Sequence, residues 1–116
     1  MESILNSIKK LLGLAEDYEA FDADVIMNIN SAFFTLWQLG VGPKDGPFTI
    51  SDKSKNWDDF IDPGKIEMCK MYVYYTVRLG FDPPSNSFLV TMINEKLKEY
   101  EWRMMVGMDE YNSKEE

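Results

Sequence analysis

Chemistry in this chain would fall to carboxylates, one thiol or aromatic rings, because its 116 residues include no histidine. Histidine is the commonest general base and transition-metal ligand, so its absence excludes triads, cysteine–histidine pairs and zinc sites in their usual forms. The densest carboxylates are Asp58, Asp59 and Asp62, within FTISDKSKNWDDFIDPGK from Phe48 to Lys65. Paired acids can run glycoside chemistry or bind magnesium. Asp62, however, precedes Pro63 and reads as a helix cap, and a calcium loop would need oxygen ligands at regular alternating positions. Asp22 and Asp24 form a D-x-D that a helix start explains. Cys69 lies in apolar surroundings with no base to activate it and reads as an inert buried thiol. Gly40 and Gly42 lack the lysine and hydroxyl of a phosphate loop. Tyr72, Tyr74, Tyr75, Trp102, Met104, Met105 and Met108 could stack bases. The net charge of −8 instead favours core or subunit contact, because nucleic-acid binders carry basic patches. No catalytic, metal or cofactor-binding residue is assigned, and the chain reads as a non-enzyme.

Four helices would position these groups. The first spans about Ser3 to Leu12, with Ile4, Leu5, Ile8, Leu11 and Leu12 on one stripe and Gly13 closing it. Next comes a connector in which Glu16, Asp17, Glu19, Asp22 and Asp24 have no base among them. It reads as solvated surface, with Asp22 as the N-cap of the second helix. That helix, about Ala23 to Leu39, buries Val25, Ile29, Ala32, Phe33 and Leu36 or Trp37. Asn28, Asn30, Ser31, Thr35 and Gln38 lie largely elsewhere, and Gly40, Gly42 and Pro43 end the helix.

The third helix starts after Asp62-Pro63 and runs to Gly80. From Met71 to Val77 it is apolar or aromatic all round apart from Thr76, the pattern of a central helix or of one covered again by another subunit. A buried strand competes, since Tyr72, Val73, Tyr74, Tyr75 and Val77 favour strands; capping at both ends favours the helix. FDPPSNS then makes a tight corner. The fourth helix, about Asn86 to Val106, has the stripe Leu89, Met92, Ile93, Leu97, Tyr100 and Met104. Glu95, Lys98, Glu99 and Glu101 face outward, with Glu95–Lys98 and Glu99–Arg103 pairs as surface support. The expected fold is all-α, a compact bundle of about four helices in one domain over residues 1–106. Residues 107–116 form an acidic tail expected to fray.

The connection from Gly40 to Asp62 exceeds the ~12–15 residues at which structureless loops become uncommon. Phe48-Thr49-Ile50 alternates and could pair with a short strand around Trp57 as a hairpin. Trp57, Phe60 and Ile61 either fold this loop onto the core or present aromatic groups beside acids to a partner.

Composition narrows the setting. With 45% hydrophobic and 14% aromatic residues there is material for one core. The eight methionines point to surfaces that adapt to irregular partners. A single cysteine allows no disulfide within the chain. MESILNSIKKLLG lacks the features of a signal peptide, and no apolar run reaches the ~20 residues that span a bilayer. The expected setting is a reducing cytoplasm, with no membrane partner.

The start ILNSIKKLLGL, the second helix DVIMNINSAFFTLWQLGVGP, the loop ISDKSKNWDDFI and the helix end RLGFDPPSNS resemble the small head–tail connector (adaptor) proteins of tailed phages and prophages of low-GC Gram-positive bacteria. The resemblance covers about residues 3 to 105, and W-x-D-F-I and F-D-P-P-S-N-S are its most specific parts. It implies an all-α structural protein without catalytic residues or cofactors. Such a protein forms a ring under the portal, of about twelvefold symmetry, extends the DNA channel and docks the next neck or tail component. Its partners would be itself, the portal protein, that neck or tail protein, and DNA passing without sequence-specific contact. It would assemble in the host cytoplasm and reside in the virion neck.

A ring needs two complementary surfaces on each subunit. The expected contacts are Trp57, Phe60 and Ile61 in the loop, Tyr72, Tyr74 and Tyr75 on the third helix, and Trp102 and Met105 on the fourth. Two other classes compete. An acidic inhibitor or DNA mimic would need its carboxylates in a regular array, whereas here they cluster at connectors and termini. A small carboxylate enzyme would need a cavity around its acids.

Overall fold

A computed structural model describes residues 2–115, with side chains described through residue 106. Five α-helices follow in order: α1 (Ile4–Leu11), α2 (Asp22–Gln38), α3 (Trp57–Phe60), α4 (Ile66–Phe81) and α5 (Ser87–Glu115), with a 3₁₀ turn at Pro63–Lys65 before α4. The all-α expectation holds, and the central segment from Ile66 onward is helix rather than strand. α4 packs against α1, α2 and α5.

Sequence signals place the helix ends. Ser3 Oγ accepts the Asn6 N–H at 3.3 Å as the N-cap of α1. At the far end Gly13, at φ +82°, lets the Leu14 N–H reach the Lys9 carbonyl and its own N–H reach that of Lys10. The same pair of bonds closes α2, from Val41 N–H to Leu36 and from Gly40 N–H to Trp37. Both ends are Schellman motifs, which need a left-handed residue that glycine adopts without a Cβ penalty. Gly42 is left-handed as well, and the Phe60 ring lies where its Cβ would be.

The α2 stripe is as expected: Val25, Ile29, Ala32, Phe33 and Leu36 are buried, while Trp37 is half-buried. Other local expectations fail. Asp22 lies inside the first turn of α2, whose N-cap is Phe21; Asp62 does hold the N-cap position before Pro63, though of the 3₁₀ turn and without a side-chain hydrogen bond. In α1, Leu11 is exposed whereas Lys9 is only 1% exposed. The Lys9 ammonium donates to the carbonyls of Glu16 (3.0 Å) and Tyr18 (2.7 Å). It also forms an ion pair with Asp22 Oδ1 at 2.8 Å, although that oxygen is not aligned for a hydrogen bond. Thus the acidic connector, though exposed from Ala15 to Phe21, is tied down from beneath by one cation. A buried ammonium survives only with its donors satisfied.

The long connection does not form a hairpin, and no named strand occurs among the described residues. Asn30 on α2 takes both backbone groups of Ile50: the Ile50 N–H donates to Asn30 Oδ1 (2.8 Å), and Asn30 Nδ2 donates to the Ile50 carbonyl (2.9 Å). Asn56 pairs instead with Ser3 in an isolated antiparallel bridge, flanked by Ile4 N–H to Lys55 O (3.0 Å) and Trp57 N–H to Glu2 O (3.2 Å). The alternating segment therefore finds its partner on α2, while Lys55 to Trp57 pair with the N-terminal end before the chain turns into α3.

In α4, Cys69, Tyr72, Val73 and Val77 are buried. α5 departs from the expected stripe at its beginning. Leu97, Tyr100 and Met104 reach the core, but Leu89 and Met92 are exposed. α5 extends beyond the expected stop at Val106 to Glu115; the expectation of a frayed tail concerns residues whose side chains lie outside the described set.

Lys9→Met keeps the aliphatic stem but removes the ammonium. It is expected to lower stability by about 3 kcal/mol in urea unfolding, because Asp22 and two carbonyls lose their partner. Lys10→Met, at an exposed neighbour, should change it by less than about 0.5 kcal/mol. Burial pushes the Cys69 thiol up to about 12, against a small opposing effect of Lys65. At pH 8 roughly one native thiol in ten thousand is then ionised, so alkylation by iodoacetamide should be far slower in the native chain than in urea-unfolded chain. Rapid alkylation of the native chain would contradict this burial.

Candidate assembly surface

The residues expected to make contacts fall into three groups. Trp57 and Phe60 belong to the subunit's own core. Trp57 is 2% exposed, its Nε1 donates to Ser7 Oγ at 2.8 Å, and its ring meets the edge of Phe33 with centroids 6.1 Å apart. Phe60 packs on Phe33 at 4.6 Å and on Phe48 at 5.3 Å. Ile61 is half-buried against the same cluster. Of the two readings of this loop, folding onto the core describes these side chains.

Their acidic neighbours have local work. Asp59 Oδ2 accepts the Asn56 N–H at 2.8 Å and so caps the start of α3. Asp52 accepts the Ser54 N–H at 2.8 Å, and the hydrogen bonds from Ser54 hold its carboxyl below the usual range. Asp58 and Asp62 are exposed. Among the described residues, no three His, Cys, Asp or Glu side chains converge on a position that could hold a metal ion. Lys55 donates to the Thr49 carbonyl (2.8 Å) and stands 4.9 Å above the Phe48 ring.

The tyrosines of α4 divide. Tyr72 is buried, and its hydroxyl donates to Glu101 Oε1 at 3.1 Å, so Glu101 is half-buried rather than wholly outward. Burial, with Glu101 beside it, pushes the phenol above its ordinary pKa. Tyr74 and Tyr75 are half-buried and lie 5.2 Å apart, and Tyr75 stacks on Tyr100 of α5 at 6.3 Å.

Only the third group is open to a partner. Trp102 is 64% exposed and Met105 45%, and their spacing of three places them on one face of α5. The charges around them are local: Arg103 pairs with Glu99 at 2.6 Å, and Lys96 rather than Lys98 supplies the second pair, with Glu99 at 3.5 Å. A cavity of about 170 Å³, which neither Trp102 nor Met105 lines, lies among Val41, Ile61, Met68, Cys69, Arg103 and Met104. Its walls are mainly aliphatic, with the protonated thiol of Cys69 among them, so it suits an apolar side chain rather than a reacting substrate.

The sequence reading missed five further exposed apolar residues: Met27 and Phe34 on α2, and Phe88, Leu89 and Met92 on α5. Their signal was present, because Met27 and Phe34 lie off the α2 stripe. Leu89 and Met92 were placed in the core because periodicity groups side chains on a face without showing whether another element covers that face. No helix among the described residues is long and apolar enough to cross a membrane.

The model of a family described as phage connector protein matches residues 4–111, which takes in all of α1 to α4 and most of α5. Comparison with curated proteins and with solved structures gives no match. Matched over nearly its whole length and folded as an all-α chain, the protein belongs to the phage connector protein family, a family of structural proteins and not of enzymes.

Proposed function

We propose that this protein works as a ring under the portal of a phage head, where it extends the DNA channel and presents the docking surface for the next neck or tail component. The observation that carries the proposal is the exposure of Trp102, with Met105 beside it on α5. An indole left largely in water on a helix that packs well elsewhere is the kind of anchor that dominates protein–protein interfaces. The acidic balance of −8 supports a channel that DNA traverses without adhering, because like charge opposes condensation on phosphates. Assembly takes place in the host cytoplasm, and the ring follows the portal's symmetry, about twelvefold.

The acidic-inhibitor reading is weaker. Lys9 is buried beneath the connector and takes Asp22, and Asp59 is drawn into a helix cap. Neither acid is free to join a regular array that imitates phosphates.

Native mass spectrometry over a concentration series, with and without portal rings, tests the proposal. A closed oligomer, free or on the portal, is the expected result. A chain that stays monomeric and does not bind portal rings would overturn it. Replacing Trp102 and Met105 together by serine should weaken association by about 10–100-fold, typical of losing one anchor, while the monomer's unfolding midpoint stays nearly constant. Assembly at wild-type strength would remove these two residues from the interface.

A further inference from the structure

Acids outnumber bases 20 to 12 in this chain, yet the cavity among Ile61, Met68 and Met104 departs from that balance. Both charged residues that line it are cations: Lys65, at the N-cap position of α4, and Arg103 on α5. A second cavity, of about 260 Å³, follows the average, with Glu16, Glu19, Asp22 and Asp52 against Lys53. The first cavity also meets the N-terminal end of α4, and a helix of 16 residues brings partial positive charge there. The Lys65 ammonium is near enough to oppose the rise of the Cys69 thiol. Arg103 is paired with Glu99 through Nη2 at 2.6 Å, but a guanidinium carries five donors and can hold a second carboxylate. Gly64, also in the lining, is exposed, and an added Cβ there meets nothing within 4 Å, so the rim is unobstructed on that side.

From this we infer that the cavity seats the C-terminal residue of a partner protein, with an aliphatic side chain inside and the free carboxylate on Lys65 and Arg103. The inference goes beyond the ring reading and stands without it. At about 170 Å³ the space is smaller than the ~300–1,000 Å³ of pockets that enclose a small molecule, and it takes one side chain. Its apolar walls favour an uncharged group, because a charge pushed against them would lose its hydration. Lys65 and Arg103 are exposed, so they meet an anion at the edge and not in the depth. A chain end carries a carboxylate and a side chain on one Cα and so satisfies both features at once. An internal Asp or Glu supplies the acid without the apolar group, and an internal leucine does the reverse. Capture of a terminal carboxylate is an established mode of peptide recognition. DNA fits poorly, since two cations on a chain of net charge −8 do not offset the repulsion of a polyanion.

The probe is the peptide acetyl-Gly-Ser-Gly-Leu with a free carboxylate, titrated into the full chain with isotope-labelled methionine methyls and followed by NMR. Saturable shifts of the Met68 and Met104 signals are expected, with a Kd of about 1 mM. The C-terminal amide of the same peptide should bind at least ~10-fold more weakly, since hydrogen bonds to charged groups are the stronger ones. Arg103→Gln and Lys65→Gln, both at exposed positions, should each weaken the acid several-fold while the unfolding midpoint stays nearly constant. Together they should erase the difference between acid and amide. Equal binding of acid and amide by the wild-type chain would overturn the inference. So would the absence of a saturable shift up to about 10 mM, or shifts confined to other methionines. Octanoate, whose chain is longer than a side chain, should not displace the peptide. If it did, the cavity would take a free fatty acid and not a protein end, and the inference would fall.

Discussion

Trp57 is the fixed point around which the rest of this fold is arranged. Its indole is buried, donates to Ser7 on α1 and lies against Phe33 on α2, while its backbone N–H pairs with Glu2. One residue therefore joins the N-terminal segment, two helices and a long connection. A buried indole N–H without an acceptor would be costly, so Ser7, itself buried, is part of the same constraint. With Trp57 seated, Asn56 must meet Ser3, α3 must begin, and Phe60 must fall over Gly42, where only a glycine leaves room. The chain then enters the 3₁₀ turn and α4 from a defined position.

This arrangement settles how aromatic residues divide between core and surface. Phe33, Phe48, Trp57 and Phe60 form one connected interior group, and Tyr72 joins α4 to α5 through Glu101. Met27, Phe34, Phe88, Trp102 and Met105 are among the large apolar residues that remain exposed. A small domain cannot bury everything apolar it contains; Trp102 stands among Glu99, Glu101 and Arg103, whereas Phe34 and Phe88 lie in stretches of sequence without a charged residue.

Much of the local structure was legible in the sequence. Gly13 and Gly40 marked their helix ends because a left-handed C-cap has few other solutions. The α2 stripe emerged from its period. The central helix was recognisable through its flanking stops despite side chains that favour strands. The burial of Lys9 was not legible because nothing local distinguishes a buried ammonium from an exposed one; its partners are carbonyls and a carboxylate up to thirteen residues away. Whether the long connection forms a hairpin was not legible for a similar reason. Alternation showed that Phe48–Ile50 wanted an extended partner, but could not show that an asparagine side chain on α2 would supply the hydrogen bonds.

By itself, then, the sequence determined the class of fold, the positions of the main helices, the lack of histidine chemistry and the resemblance to phage connectors. These follow from composition, local period and backbone stereochemistry, which need no knowledge of distant neighbours. Only the tertiary structure decided which aromatic residues are interior. Trp57, Phe60 and Trp102 look alike as letters, yet the first two meet Phe33 and the last meets water. Burial is a property of what other elements bring to a side chain, and that depends on how α1, α2 and α5 close around α4.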